Sequence, residues 1–296
     1  MRSNLLRGCG TAIVTPFTAA GALDEPALRA FVDAQLAAGV RMIIPCGSTG
    51  EAVTLTPEEH RRVVEITVEQ VNGRIPVVAG AGSNDTQKAI TLSREMQAVG
   101  ATHLLQVTPM YNKPPQRALL AHFRAIADAC ALPIVLYNVP GRTAVNMEAA
   151  TTLTLAADPR FVAVKEASGS LAQMTEILRE RPDGFSVLSG DDGFTLSLMA
   201  HGGDGVISVA SNVAPALVVA LCEAMLRGDL VEARRLEAVL APVIDACFIE
   251  SNPIPAKAML AMMGHMHDVL RLPLVSLADA LRDRVRSALE RASLLS

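Results

Sequence analysis

The sequence predicts an α/β protein: a (β/α)8 TIM barrel with a C-terminal helical appendage. Three observations carry that prediction. Eight short runs rich in β-branched and other apolar residues recur along the chain, with successive starts 20 to 34 residues apart. Stretches with helical hydrophobic spacing fill the intervals, and a strand, a helix and two turns need about 30 residues, so the period is that of a βα unit. The runs are almost continuously apolar, which suits a parallel sheet covered on both faces. Eight such units close into a barrel. An open, doubly wound sheet is the alternative, but it gives no reason for eight.

The runs lie at residues 12–15, 42–46, 76–79, 103–107, 133–137, 161–165, 185–188 and 205–209. Thr56-Pro57-Glu58-Glu59 reads as a capping box with proline at the first helical position, opening a helix that runs to about Val71. Asp85 precedes another helix and Pro114-Pro115 a third. After Gly228-Asp229 the strand pattern stops. Residues 231–248, 253–263 and 276–294 read as helices. In the last of these, Leu277, Leu281, Val285, Leu289 and Ala292 share one face, which must bury against the barrel or another subunit. The chain thus divides into a barrel, residues 1–228, and a helical domain, residues 229–296.

Composition excludes several classes. The chain has 296 residues, half of them hydrophobic (50%) and 19% charged, with a mean hydropathy of +0.33. That suits a globular protein with a large core. A net charge of −4 gives no general attraction to nucleic acid or an anionic membrane. No apolar run approaches the ~18 residues of a membrane span. Residues 1–10 lack a long apolar stretch with a cleavage site, so no signal peptide is expected. The five cysteines, Cys9, Cys46, Cys130, Cys222 and Cys247, form no CxxC pair. They read as small buried residues in a reducing compartment, the cytoplasm.

In a (β/α)8 barrel the active site lies at the C-terminal ends of the strands. The sixth run, Phe161-Val162-Ala163-Val164, leads straight into Lys165. Burial there favours the neutral amine, which can attack a keto group and form a Schiff base. Taken alone, a strand-end lysine is more often a solvated charge or the partner of Glu166. The other strand ends shift the balance. They carry Gly47-Ser48-Thr49-Gly50-Glu51, Gly80-Ala81-Gly82, Thr108-Pro109-Met110-Tyr111-Asn112, Tyr137-Asn138-Val139-Pro140-Gly141-Arg142-Thr143, Ser189-Gly190-Asp191-Asp192 and Ala210-Ser211-Asn212. The chain has only two tyrosines, Tyr111 and Tyr137, and both fall at this rim. Either alone would be read as packing; beside a buried lysine, a phenol can shuttle protons. The Ser48-Thr49 turn is either plain chain reversal or a set of N–H groups for a carboxylate. Arg142, after Pro-Gly, is a surface arginine or a planar fork for a second carboxylate. Glu166, next to Lys165, should point away from the barrel interior.

Other motifs are weaker. Gly80-Ala81-Gly82 lacks the third glycine of a dinucleotide fingerprint, so nicotinamide binding is rejected. No P-loop, GxSxG or HExxH occurs. His265 and His267 alternate without further ligands and read as solvated loop residues rather than a metal site.

Taken together, the Gly47–Glu51 turn, the Tyr137-to-Thr143 run, Lys165-Glu166-Ala167-Ser168, Val107-Thr108-Pro109-Met110-Tyr111-Asn112-Lys113-Pro114, Ser189-Gly190-Asp191-Asp192 and Asn252-Pro253-Ile254-Pro255 resemble the dihydrodipicolinate synthase/N-acetylneuraminate lyase family of class I pyruvate aldolases. The likeness spans nearly the whole chain. It implies that Lys165 forms a Schiff base with pyruvate and that Ser48, Tyr111 and Tyr137 form a proton relay. It implies substrate binding by Thr49, which holds the pyruvate carboxylate, by Arg142, which holds the carboxylate of the second substrate, and by Ile207. On the synthase branch that substrate is L-aspartate-4-semialdehyde, in the diaminopimelate route to lysine. The resemblance implies no metal or organic cofactor, only the covalent pyruvate imine on Lys165. It also implies a homo-oligomer, a tetramer built as a dimer of dimers, with Tyr111 lent to the neighbouring subunit's site.

Two departures stand out. The relay hydroxyl is usually threonine in the synthases, whereas Ser48 matches the sialate-lyase branch. Serine keeps the hydroxyl but loses the methyl that restricts its rotamer. Lysine-inhibited synthases carry a glutamate and a tyrosine where this chain has Lys88 and Met110, so no lysine feedback is expected. The rival readings are another pyruvate aldolase of the family, acting on a sugar-acid or hydroxy-acid aldehyde, and a non-catalytic barrel that binds a keto acid.

Overall fold

The computed structural model describes residues 5–295; residues 1–4, part of the N-terminal stretch read for a signal, and residue 296 lie outside the described residues. Strands and helices alternate: β1 (Gly8–Ala12), α1 (Glu25–Ala37), β2 (Met42–Ile44), α2 (Pro57–Val71), β3 (Val78–Gly80), α3 (Thr86–Ala98), β4 (His103–Val107) and α4 (Gln116–Ala129). There follow β5 (Ile134–Asn138), the single turn α5 (Pro140–Thr143), α6 (Ala149–Ala156), β6 (Phe161–Glu166), α7 (Leu171–Glu180), β7 (Ser186–Ser189), α8 (Thr195–Ala200), β8 (Gly205–Ser208) and α9 (Pro215–Leu226). The tail holds α10 (Leu230–Cys247), α11 (Ile254–Met262) and α12 (Asp279–Arg291).

The strands pair in parallel in the order β2-β1-β8-β7-β6-β5-β4-β3. The ring closes between β2 and β3 through one parallel bridge, Ile43 to Val77, with the Ile43 N–H donating to the Pro76 carbonyl at 3.1 Å. Gly80 permits that approach, since a Cβ there would meet the Cys46 carbonyl oxygen at 2.0 Å. This is the predicted (β/α)8 barrel. Side chains alternate across its wall. Met42, Ile44, Val135, Ala163, Leu188 and Ile207 fill the interior. Ile134, Leu136, Val164 and Val187 face outward against the helices.

The capping box forms as expected: Thr56 Oγ1 accepts from the Glu59 N–H at 3.2 Å, and the Glu59 carboxylate accepts from the Thr56 N–H at 3.0 Å. The first strand differs from the sequence expectation. It occupies Gly8–Ala12, whereas the apolar signal placed it at 12–15. Two glycines hide its β character. Gly10 is there because a Cβ would collide with Met42 Cγ at 2.4 Å. After a last backbone bond from the Ile13 N–H to the Ile44 carbonyl at 3.1 Å the chain leaves the ladder, and the Val14 N–H donates to Asn212 Oδ1 at 3.0 Å instead.

The apolar face of α12 buries within the chain, against α10 and α11. Leu277, Val285, Leu289 and Ala292 are buried there. From α11, Lys257 reaches beneath the loop after β2, which ties the tail to the strand-end face of the barrel.

Candidate active site

The alternation of β6 decides where its two ionisable side chains go. Ala163 faces the barrel interior and Val164 the helices. Lys165 therefore points inward and Glu166 outward, as the sequence predicts. Lys165 is 4% exposed. The β5–β6 register sets it beside Tyr137, with Nζ 4.3 Å from the ring centroid. Burial is the main influence on its amine; the Asp192 carboxylate opposes it and the Arg142 guanidinium adds to it, and the pKa falls from 10.5 to about 8. The amine is thus partly neutral near physiological pH.

Tyr137 is also buried, and burial raises its phenol to about 12 although Arg142 and a hydrogen bond with the Ser48 side chain pull the other way. The phenol stays protonated, with the Ser48 hydroxyl as its hydrogen-bond partner. Ser48 itself sits exposed at the mouth of the barrel, in the turn after β2. That turn is tightly held. The Gly50 N–H donates to the Gly47 carbonyl at 3.1 Å, and the Glu51 N–H to the Ser48 carbonyl at 3.2 Å. Thr15 Oγ1 donates to the Gly50 carbonyl at 2.7 Å. Cys46 and Glu51, which flank it, both have positive φ (57° and 53°), a conformation that costs L-residues about 1 kcal/mol or more each. Tertiary contacts hold it in place. The Glu51 carboxylate is fully buried against Lys257 Nζ at 2.7 Å. It also accepts from the Arg271 N–H at 3.1 Å. Lys257 Nζ and the Arg271 guanidinium carbon each lie over the Phe17 ring, 4.2 and 4.3 Å from its centroid.

Thr49 is buried beside the pocket, 3% exposed, and its Oγ1 accepts from Asn252 Nδ2 at 2.9 Å. Arg142, exposed in α5, donates from Nη2 to the Asn252 carbonyl at 3.2 Å. Ile207 is fully buried in β8, in the same interior cluster as Tyr137. The structure thus brings Lys165, Tyr137, Ser48, Thr49, Arg142 and Ile207 to one end of the barrel. Tyr111 stands apart from them. It is 89% exposed, with φ at 75°, in the loop between β4 and α4.

Glu166 has the outward, orienting place that the sequence reading gave it, but three residues that support the site, Asn138, Asp192 and Asn252, escaped that reading. Asn138 and Glu166 are outward neighbours in register on β5 and β6. Asn138 Nδ2 donates to the Glu166 carboxylate at 3.2 Å, and Asn138 Oδ1 accepts from the Met147 N–H at 2.9 Å. Glu166 Oε1 accepts from the Ser168 N–H at 2.7 Å. This network braces both ends of the segment that carries Arg142. Asp192, also buried, accepts from the Ser208 hydroxyl and from the Val209 N–H at 2.9 Å, fixing the end of β8. A polar residue ending an apolar strand was the available signal for Asn138, and an acidic pair just after β7 for Asp192. Asn252 gave none beyond its place in the Asn-Pro-Ile-Pro motif.

Chemically, the site sets a buried amine of lowered pKa beside a phenol and a serine hydroxyl, with Thr49 and Arg142 able to meet carboxylates. His265 and His267 are exposed loop residues. Among the described residues no group of three or more His, Cys, Asp or Glu side chains could hold a metal ion. Nor, among the described residues, is any helix long and apolar enough to cross a membrane.

Comparison with known proteins agrees with this geometry. The model of the dihydrodipicolinate synthetase family matches residues 5–292. A 4-hydroxy-tetrahydrodipicolinate synthase from Pelobacter propionicus is 51% identical over 278 residues, covering 94% of this chain and 96% of that protein. A monomeric dihydrodipicolinate synthase variant of known structure superposes with a TM-score of 0.97 at 42% identity, covering 99% of each chain. The chloride-inhibited dihydrodipicolinate synthase of Acinetobacter baumannii, solved in complex with pyruvate, superposes with a TM-score of 0.96 at 39% identity, covering 98% of this chain and 99% of that one.

Proposed function

The chain belongs to the dihydrodipicolinate synthetase family, and from that premise we propose that it condenses pyruvate with L-aspartate-4-semialdehyde through a Schiff base on Lys165. It is a lyase, and the reaction is that of 4-hydroxy-tetrahydrodipicolinate synthase. The observation that carries the proposed mechanism is the buried Lys165 amine, its pKa drawn down to about 8, in contact with Tyr137. The pyruvate-bound relative from Acinetobacter baumannii supports the first substrate.

The neutral Lys165 amine adds to C2 of pyruvate. The carbinolamine hydroxyl takes a proton from the Tyr137–Ser48 pair and leaves as water, giving an iminium. The relay, left as a base, takes a C3 proton to give the enamine, whose C3 attacks the aldehyde carbon, and the relay then passes that proton to the new alkoxide. The substrate's own amine then displaces Lys165 as the ring closes. Over the cycle one water is released. Thr49 Oγ1 and the Ser48 and Thr49 N–H groups hold the pyruvate carboxylate, Arg142 the second one, and Ile207 lines the pyruvate end. No metal or organic cofactor is needed, because the lysine imine is the electron sink.

Tyr111, exposed and in a left-handed conformation, completes the relay in the neighbouring subunit's site. The working assembly is a homo-oligomer, a dimer of dimers, in the cytoplasm. The test is product formation from pyruvate with aspartate-4-semialdehyde, run beside pyruvate with N-acetylmannosamine. Turnover of the first pair alone is expected. Turnover of the second pair alone would assign the chain to the sialate branch, to which Ser48 points.

A further inference from the structure

Asn252 lies in the helical tail, just before α11, yet it touches both residues read as carboxylate binders. Its Nδ2 donates to Thr49 Oγ1 at 2.9 Å. Its backbone carbonyl accepts from Arg142 Nη2 at 3.2 Å. The residue is only 6% exposed, and its Oδ1 is buried without a hydrogen-bond partner. Turned over, the amide would leave Nδ2 unpaired in the same place, so that count is equal for the two orientations. What separates them is Thr49. A threonine hydroxyl has one proton. With Nδ2 donating to Oγ1, that proton remains free for an anion in the pocket. With the amide turned over, Oδ1 would accept it and Thr49 would have nothing left to donate.

We propose that Asn252 is a positioning residue for the keto-acid carboxylate, making the Thr49 hydroxyl a one-way donor toward it. The proposal rests on the reading of Lys165 and Thr49 as the pyruvate site. The contact with Arg142 is made by main chain and survives any change of side chain. The consequence is confined to pyruvate and spares the second substrate.

The test is steady-state kinetics of N252D and N252A in the full-length chain, with the two substrates varied separately. In N252D the carboxylate takes the Thr49 proton and sets a negative charge beside the pyruvate carboxylate, so KM for pyruvate rises about 100-fold. In N252A the hydroxyl is only freed to rotate, and the rise is about fivefold. KM for the aldehyde stays within about twofold of native in both, the Arg142 hydrogen bond being intact. A packing role predicts the opposite order, with alanine the worse of the two. Equal effects, or equal shifts in both KM values, overturn the proposal. If N252D does not fold, a double-mutant cycle of N252A with T49V decides: N252A adds nothing to T49V if it acts through that hydroxyl, and additive losses overturn it. Borohydride reduction of the native protein with pyruvate separates the two levels. A normal adduct on Lys165 with failed kinetics sinks the role of Asn252 alone, whereas no adduct sinks the functional reading and this role with it.

Discussion

The burial that lowers the pKa of the proposed nucleophile, Lys165, also costs stability, and Lys165→Met removes both. The ordinary pKa of 10.5 falls to about 8 in the folded chain. At about 1.4 kcal/mol per tenfold in proton affinity, the folded state at pH 7 carries a penalty of about 3 kcal/mol for this ammonium. The contact with the Tyr137 ring offsets about 1 kcal/mol of that. Methionine matches the stem in volume and needs no solvation, so a net gain of about 2 kcal/mol is expected. At about 2 cal/mol/K of unfolding entropy per residue, that is about 3 °C in Tm for a chain of this length. The sign of the pH dependence follows from the direction of the shift. Between pH 8 and 10.5 the unfolded chain holds a proton that the folded chain has released, so native stability rises with pH across that window. The methionine variant lacks this contribution. Its advantage is full below pH 8, fades above it, and is gone near pH 10.5. Calorimetry of both proteins at pH 7, 8 and 9 reads the difference, with other titrating groups cancelling. A variant no more stable than native, or an advantage that does not change with pH, would show that burial does not depress this amine.

The same pKa predicts that kcat/KM for pyruvate rises with pH up to about 8 and then levels; a profile flat from pH 6 to 9 would contradict a neutral-amine nucleophile. Tyr111→Phe and Lys165→Met should each be inactive, yet regain activity when refolded together, because one subunit then supplies Tyr111 and the other Lys165; no recovery would count against a shared site. Lysine should not inhibit, since its ammonium would meet a like charge at Lys88, and half-inhibition at sub-millimolar lysine would refute this. Glu51→Gln leaves the buried Lys257 ammonium without its partner and should cost about 3–5 kcal/mol, or about 5–8 °C in Tm. Adding Lys257→Met should restore most of it, and a double variant as unstable as E51Q would place the cost elsewhere.

The sequence showed the parts of this molecule whose signals are local. β4 was legible residue for residue, because His103–Val107 is an apolar run with clear ends. The helix after Thr56 was legible because its cap is written within four residues. β1 was not, because Gly8 and Gly10 serve close packing and carry no β signature. Lys165, Tyr137 and the Ser48-Thr49 turn stood out as polar or aromatic groups at strand ends, where a parallel barrel exposes them. The Asn138–Glu166 brace was half visible: alternation put Glu166 on the outer face, but its partner could be found only from the β5–β6 register. The contact of Asn252 with Thr49 spans 203 residues, and no periodicity reports a contact of that range.

That last contact bears on what the C-terminal helices are for. The change of pattern at Gly228-Asp229 separates barrel from tail as secondary structure. It does not separate them as chemistry. The Gly47–Glu51 turn carries two left-handed residues at its ends, and beside Thr15 and its own backbone bonds three restraints come from the tail: Asn252 on Thr49, Lys257 on Glu51, and the Arg271 N–H on the same carboxylate. Substituting Asn252 and Lys257 would leave Lys165 and Tyr137 in the barrel, and with them the amine proposed to form the imine. It would remove two of those three restraints on the turn read as the carboxylate site. Substrate binding would then weaken before the chemistry failed, and pyruvate affinity would be the first property to report damage in the tail.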